Sequence, residues 1–164
     1  MRNKRVHFIT QAAIIAALYV VLTFSFATFS SKAIQVRLSE VLTILPYFTP
    51  AAIPGLFIGC LCGNLIAGNA LPDVLFGSLA TLIGALGTYL LRKQTKFSAP
   101  IPPILSNALI VPFILKYAYG EPFPIPYMML TVGIGQLISC GVLGLLLLGS
   151  LDKYKKQLFH IKNE

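Results

Sequence analysis

Apolar residues fill this chain in long blocks, separated by short polar or Pro/Gly-rich stretches. The first block predicts a helix from about Phe8 to Thr28, entered from the basic segment MRNKRVH. Residues 28–36, TFSSKAIQV, read as a polar connection. A second helix is expected from about Arg37 to Pro50, with Pro46 inside it. The turn TPAAIPG leads to Pro54, a residue suited to opening a third helix that runs to about Ala67. After the loop GNALPD, Pro72 starts a fourth helix ending at Leu91. A basic loop with Arg92, Lys93 and Lys96 precedes a fifth helix at about 101–117, and the rigid loop YGEPFPIP precedes a sixth at about 127–148. The tail DKYKKQLFHIKNE reads as an amphipathic surface segment.

Most of these blocks match the roughly 20 apolar residues that span a 30 Å hydrocarbon core. The second and third are shorter, which implies tilt or an end within protein. The expected fold is therefore an all-α integral membrane protein: a six-transmembrane-helix bundle forming a single domain over residues 1–164.

Composition strengthens this picture. Of 164 residues, 56% are hydrophobic and 11% are charged, and mean hydropathy is +0.80. A soluble domain carries about 25% charged residues. The apolar run after the basic N-terminus is longer than a signal-peptide core and lacks a small-residue cleavage site, so it reads as a retained helix. The +8 formal charge would suggest nucleic acid on a soluble protein. Here the basic residues gather at the ends of apolar blocks, which points to topology and to anionic headgroups. With both termini inside, ten of the basic residues fall on the inner side, and only Lys32, Arg37 and Lys116 on the outer side. That asymmetry predicts cytoplasmic termini in a plasma-membrane protein.

Small residues mark close helix contacts. Ala12, Ala13, Ala16 and Ala17 form two interleaved pairs four apart, and Gly55, Gly59 and Gly63 repeat the same spacing. Such stripes let helices approach closely in lipid. The alanine face serves either packing within the chain or docking of a different subunit. Cys60, Cys62 and Cys140 all lie in apolar stretches and read as small core residues.

Candidate chemistry comes from the few polar groups inside apolar blocks. Arg37, Glu40, Asn64 and Asp73 interrupt the stretch Ile34–Phe76, and Asn107 and Gln136 interrupt later helices. Charged groups at membrane depth are retained when they face a bundle interior or a cavity. In the expected topology Arg37, Glu40, Asn64 and Asp73 converge on the outer half. The two carboxylates suit paired N–H donors or a cation, the amides can both donate and accept, and Tyr47, Phe48 and Phe76 offer flat rings. Together they favour a small, planar, nitrogen-rich ligand. Plainer roles stand beside each: Glu40 paired with Arg37 or capping a helix, Asp73 stabilising a helix dipole, Asn64 capping its helix. Asn107 and Gln136 can serve as interhelical hydrogen bonds, and the rings as belt or core. No Walker A, HExxH, GxSxG or CxxC motif occurs, which argues against an enzyme and leaves any uphill transport to be energised by a partner.

Four segments carry a family resemblance: IQVRLSEVLTILPYFTPAAIPGLFIGC, PDVLFGSLATLIGALGTYLLR, SNALIVPFILKY and GIGQLISCGVLG. Over about residues 8–150 the chain resembles the queuosine-precursor transporter family (QueT type), substrate-binding S components of energy-coupling factor (ECF) importers. The resemblance implies six helices and a pocket near the outer face, lidded by the loop after the first helix. It implies a 7-deazaguanine substrate such as 7-aminomethyl-7-deazaguanine. It also implies a membrane coupling subunit, docked on the alanine-spaced first helix, with two ATPases, and inward delivery by toppling in the bilayer. Gln136 departs from the family pattern, where an acidic residue is expected; this allows a neutral nitrile or a base lacking the amine. Another nucleobase or a B vitamin as ligand, or a non-transport membrane assembly subunit, are the competing readings.

Overall fold

A short segment that buries polar side chains among apolar ones has to be surrounded by other chain, and Leu38–Tyr47 is that segment here. The computed structural model describes residues 2–25 and 36–159. Six helices, with no strand among the described residues, follow in chain order. They are α1 (Arg2–Ser25), α2 (Leu38–Tyr47), α3 (Ala52–Ile66), α4 (Asp73–Leu91), α5 (Ile101–Tyr117) and α6 (residues 125–159). The expected end of the first helix at Thr28, the lid loop with Lys32, and the last residues of the tail lie outside the described residues.

Helix α2 is axial. Ser39, Glu40 and every residue from Leu42 to Pro46 are buried in it. It packs against α1, α3, α4 and α6, while the contacts α1–α3, α3–α4, α4–α5 and α5–α6 form an open arc around it. It is a 3-10 helix rather than the α-helix expected from about Arg37 to Pro50. Pro46 lacks the N–H an α-helix would use. The Thr43 hydroxyl also donates to the Glu40 carbonyl at 2.6 Å, which favours the tighter turn.

Helix α1 joins the bundle along a seam of small residues. A Cβ on Gly55 would lie 2.7 Å from the Ala12 carbonyl oxygen, and one on Gly59 would lie 2.8 Å from Tyr19 Cβ and 3.0 Å from Ala16 Cα. Only glycine allows the two backbones this proximity. The α4–α5 pair uses the same device, with Gly84 and Gly87 against Pro103 and Pro102.

Two helices contain π-helical turns: Asp73–Gly77 opens α4, and Leu137–Leu143 interrupts α6. Helix α6 continues past the expected end near Leu148 to Phe159, held near its far end by Asp152, which accepts from Lys96 Nζ at 2.6 Å. Among the described residues, four helices are long and apolar enough to cross a membrane; α2 and α3 are the shorter apolar ones. Leu75, Leu79, Ile83, Leu86 and Leu90 are all exposed along α4. An apolar stripe of that length belongs against lipid, so the chain is a membrane protein.

Candidate functional site

The polar residues of the apolar blocks meet inside the bundle. Glu40, one turn into α2, is 1% exposed, and Asn64, Asp73, Asn107 and Gln136 are buried as well. Tyr19 Oη donates to Glu40 Oε1 at 2.5 Å, and Asn107 Nδ2 donates to Oε2 at 3.1 Å. Donors from α1 and α5 thus hold both oxygens of a carboxylate carried by α2. A buried carboxylate without such partners would be strongly disfavoured.

The second acid, Asp73, stands at the start of the π-helical turn of α4. Arg37 stands just before α2 in an extended conformation, and its Nη2 donates to Asp73 Oδ2 at 3.2 Å. Tyr119 Oη donates to the same oxygen at 2.9 Å and accepts from the Ala70 backbone N–H at 3.2 Å. Burial first, and then the Asp73 charge, push the Tyr119 phenol above its ordinary pKa, so it remains a donor. Asp73 Oδ1 is buried with no hydrogen-bond partner. Gly77 makes room for it, since a Cβ there would lie 2.8 Å away.

Amides and thiols complete the surroundings. Asn64 Nδ2 donates to the Asp73 carbonyl at 3.4 Å, and Asn64 Oδ1 accepts from Asn69 at 3.0 Å. Cys140 Sγ lies 3.0 Å from Gln136 Oε1 and 3.4 Å from the Glu40 carbonyl, so Gln136 reaches Glu40 through a thiol rather than directly.

Several expectations need correction. Arg37 pairs with Asp73 and not with Glu40. None of the three flat rings, Tyr47, Phe48 and Phe76, is part of the cluster. Tyr47 ends α2, about 14 Å along the axis from Glu40 at 2.0 Å per residue, and packs edge-on against Phe48 at 5.3 Å. Phe76 is 53% exposed and lines an apolar surface cleft with Pro72, Leu109 and Phe113. The four alanines divide: Ala12 and Ala16 pack on Gly55 and Gly59 within the chain, whereas Ala13 and Ala17 are exposed.

Tyr19, Tyr119 and Cys140 are cluster members that the polar-residue pattern missed. Tyr19 had a signal, because it lies three residues after Ala16 and seven after Ala12, on the same helix face. Tyr119 sits in a loop, where no periodicity reveals a direction.

The arrangement brings hydrogen-bond donors and acceptors together inside the bundle. It offers a carboxylate anchored at both oxygens, an unpartnered buried acceptor, and amides that donate or accept.

The family model described as QueT transporter matches residues 9–153. Over 85 residues the chain is 35% identical to the queuosine precursor transporter QueT of Lactococcus lactis subsp. cremoris (strain MG1363). That stretch is 51% of this chain and 50% of the relative, so the match spans half the relative's length. No solved structure matches significantly. The match covers most of the chain, and its family is one of transporters rather than enzymes: this chain belongs to the QueT transporter family.

Proposed function

We propose that the chain is the substrate-binding S component of an ECF-type importer for a queuosine precursor, a 7-deazaguanine such as 7-aminomethyl-7-deazaguanine. The observation that carries this reading is the buried acceptor Asp73 Oδ1, unpartnered beside the Arg37–Asp73 ion pair and within the same cluster as Glu40. Counted as carboxylates, Glu40 and Asp73 carry one more charge than Arg37 balances, which suits a cationic guest. In this account Glu40 takes the N–H donors of the guanine edge, and Asp73 Oδ1 takes the aminomethyl cation. An amide of Asn64 or Asn107 meets the carbonyl. With Asp73 in that role, a neutral Gln136 is compatible with a cationic substrate.

The same reading places both termini in the cytoplasm and six helices in the plasma membrane, with α2 and α3 deep in the bundle. It seats the membrane coupling subunit on the exposed face of α1 that carries Ala13 and Ala17. Two ATPases bound to that subunit then drive toppling, which carries the ligand inward.

Thermal unfolding of the purified protein against deazapurines, guanine and B vitamins tests the ligand class. A binder present at 100 times its Kd stabilises by about 2.7 kcal/mol. A shift with 7-aminomethyl-7-deazaguanine supports the reading; a shift only with a vitamin replaces the ligand, and no shift with any compound removes the assignment.

A further inference from the structure

The loop between α4 and α5 holds a phenylalanine in the open. Thr88 Oγ1 donates to the Ala99 carbonyl at 2.8 Å, and Ser98 Oγ donates to the Thr95 carbonyl at 2.6 Å. Ser98 and Ala99 are buried. Lys96 Nζ is tied to Asp152 of α6. Between these fixed points Phe97 is 75% exposed. A ring pinned outward by its own loop forgoes the gain of burial unless something outside the chain covers it.

Its neighbours are cations. Lys93 and Lys96 lie on the same loop, and the Lys96–Asp152 contact brings Lys153 and Tyr154 of α6, both exposed, to the same end of the bundle. Arg92 adds a charge, although its guanidinium is turned back over the Tyr89 ring, 3.6 Å from the centroid. Asp152 is the only acid in residues 89–101 and 148–154, and Lys96 takes it. We propose that this patch is a headgroup site for anionic phospholipid, with Phe97 set at the boundary with the acyl chains and Lys93 and Lys153 facing the phosphate.

The surrounding surface favours lipid over an acidic protein. Leu86 and Leu90 before the loop, and Ile101 and Leu105 after it, are exposed along two helices long and apolar enough to cross a membrane. The cations begin where those exposed apolar side chains end. Apolar side chains, then a ring, then ammonium groups match the layers of acyl chain, boundary and phosphate. The site requires only that the chain spans a membrane; it depends neither on the ligand nor on the coupling subunit.

The chain has no tryptophan, so Phe97→Trp installs a single reporter at an exposed position. The full chain carrying that change is placed in phosphatidylcholine vesicles with about 20% phosphatidylglycerol, with bromine on the acyl chains of one lipid or the other. A cation near an anionic surface contributes about fivefold, so bromine on phosphatidylglycerol should quench the indole about fivefold more, per lipid, than bromine on phosphatidylcholine. Lys93→Gln with Lys153→Gln should bring that excess below about twofold. Raised salt, which screens exposed charges, should do the same with both lysines in place. Lys96 is left unchanged because it holds the loop to α6. An excess below about twofold with both lysines present overturns the proposal, since the ring then sits among lipids without selecting them. An excess that survives both the double variant and raised salt also overturns it. Quenching by neither lipid means that water or a protein partner faces the loop, and overturns it as well. None of these results bears on the deazaguanine reading, which ligand titration tests separately.

Discussion

Arg37 bypasses Glu40, three residues along its own chain, and pairs with Asp73 at 3.2 Å. The ion pair joins the start of α2 to the start of α4. It leaves Glu40 to neutral donors, Tyr19 and Asn107 among them. A double-mutant cycle with Arg37→Ala and Asp73→Ala, read by thermal unfolding, should give a coupling energy of about 1–2 kcal/mol. Additive effects of the two changes would mean the pair contributes nothing.

The α1–α3 seam and the exposed face of α1 should separate cleanly. Gly59→Leu drives a side chain into Tyr19 and Ala16 and should prevent stable folding. Ala13→Leu with Ala17→Leu points outward and should change the stability of the isolated chain by less than about 0.5 kcal/mol. If that face seats the coupling subunit, the same double variant abolishes uptake in cells while leaving ligand binding intact. Full uptake by the variant would put the docking face elsewhere.

Tyr119 ties two loops together by bridging Asp73 and Ala70. Tyr119→Phe should lower stability by about 1 kcal/mol. Amide exchange should quicken around residues 67–72 and 118–124 and stay unchanged in α2. Unaltered exchange in those loops would show that the bridge holds nothing closed.

The rings outside the cluster supply a control. Tyr47→Ala and Phe76→Ala should leave ligand affinity within about twofold, whereas Asn107→Ala should reduce it about tenfold. A large loss from Phe76→Ala would move the ligand to the surface cleft.

Much of this architecture was legible along the chain. Helix positions follow from the apolar blocks, and the gathering of Glu40, Asp73, Asn64 and Asn107 follows from the need of polar groups at membrane depth for one another. Helical phase was not legible. Glu40 and Tyr47 are seven apart, which nearly aligns them on an α-helix of 3.6 residues per turn. On a 3-10 helix of 3.0 residues per turn they diverge by about 120°. The π-helical turn at Asp73–Gly77 has a similar effect: Asp73 and Gly77 face inward while Phe76 turns outward. The alanine stripe was ambiguous for another reason. Small residues four apart permit close approach but do not specify the partner, and the glycine stripe on α3 takes two of the four.

The central claim is that the buried Glu40–Asp73 cluster is where a cationic 7-deazaguanine binds. Calorimetric titration of 7-aminomethyl-7-deazaguanine into wild-type protein, Glu40→Gln and Asp73→Asn tests it most directly. The account predicts saturable binding to the wild type and at least about tenfold weaker binding to each variant, since each removes a charged hydrogen-bond acceptor. Undiminished affinity in both folded variants would contradict it.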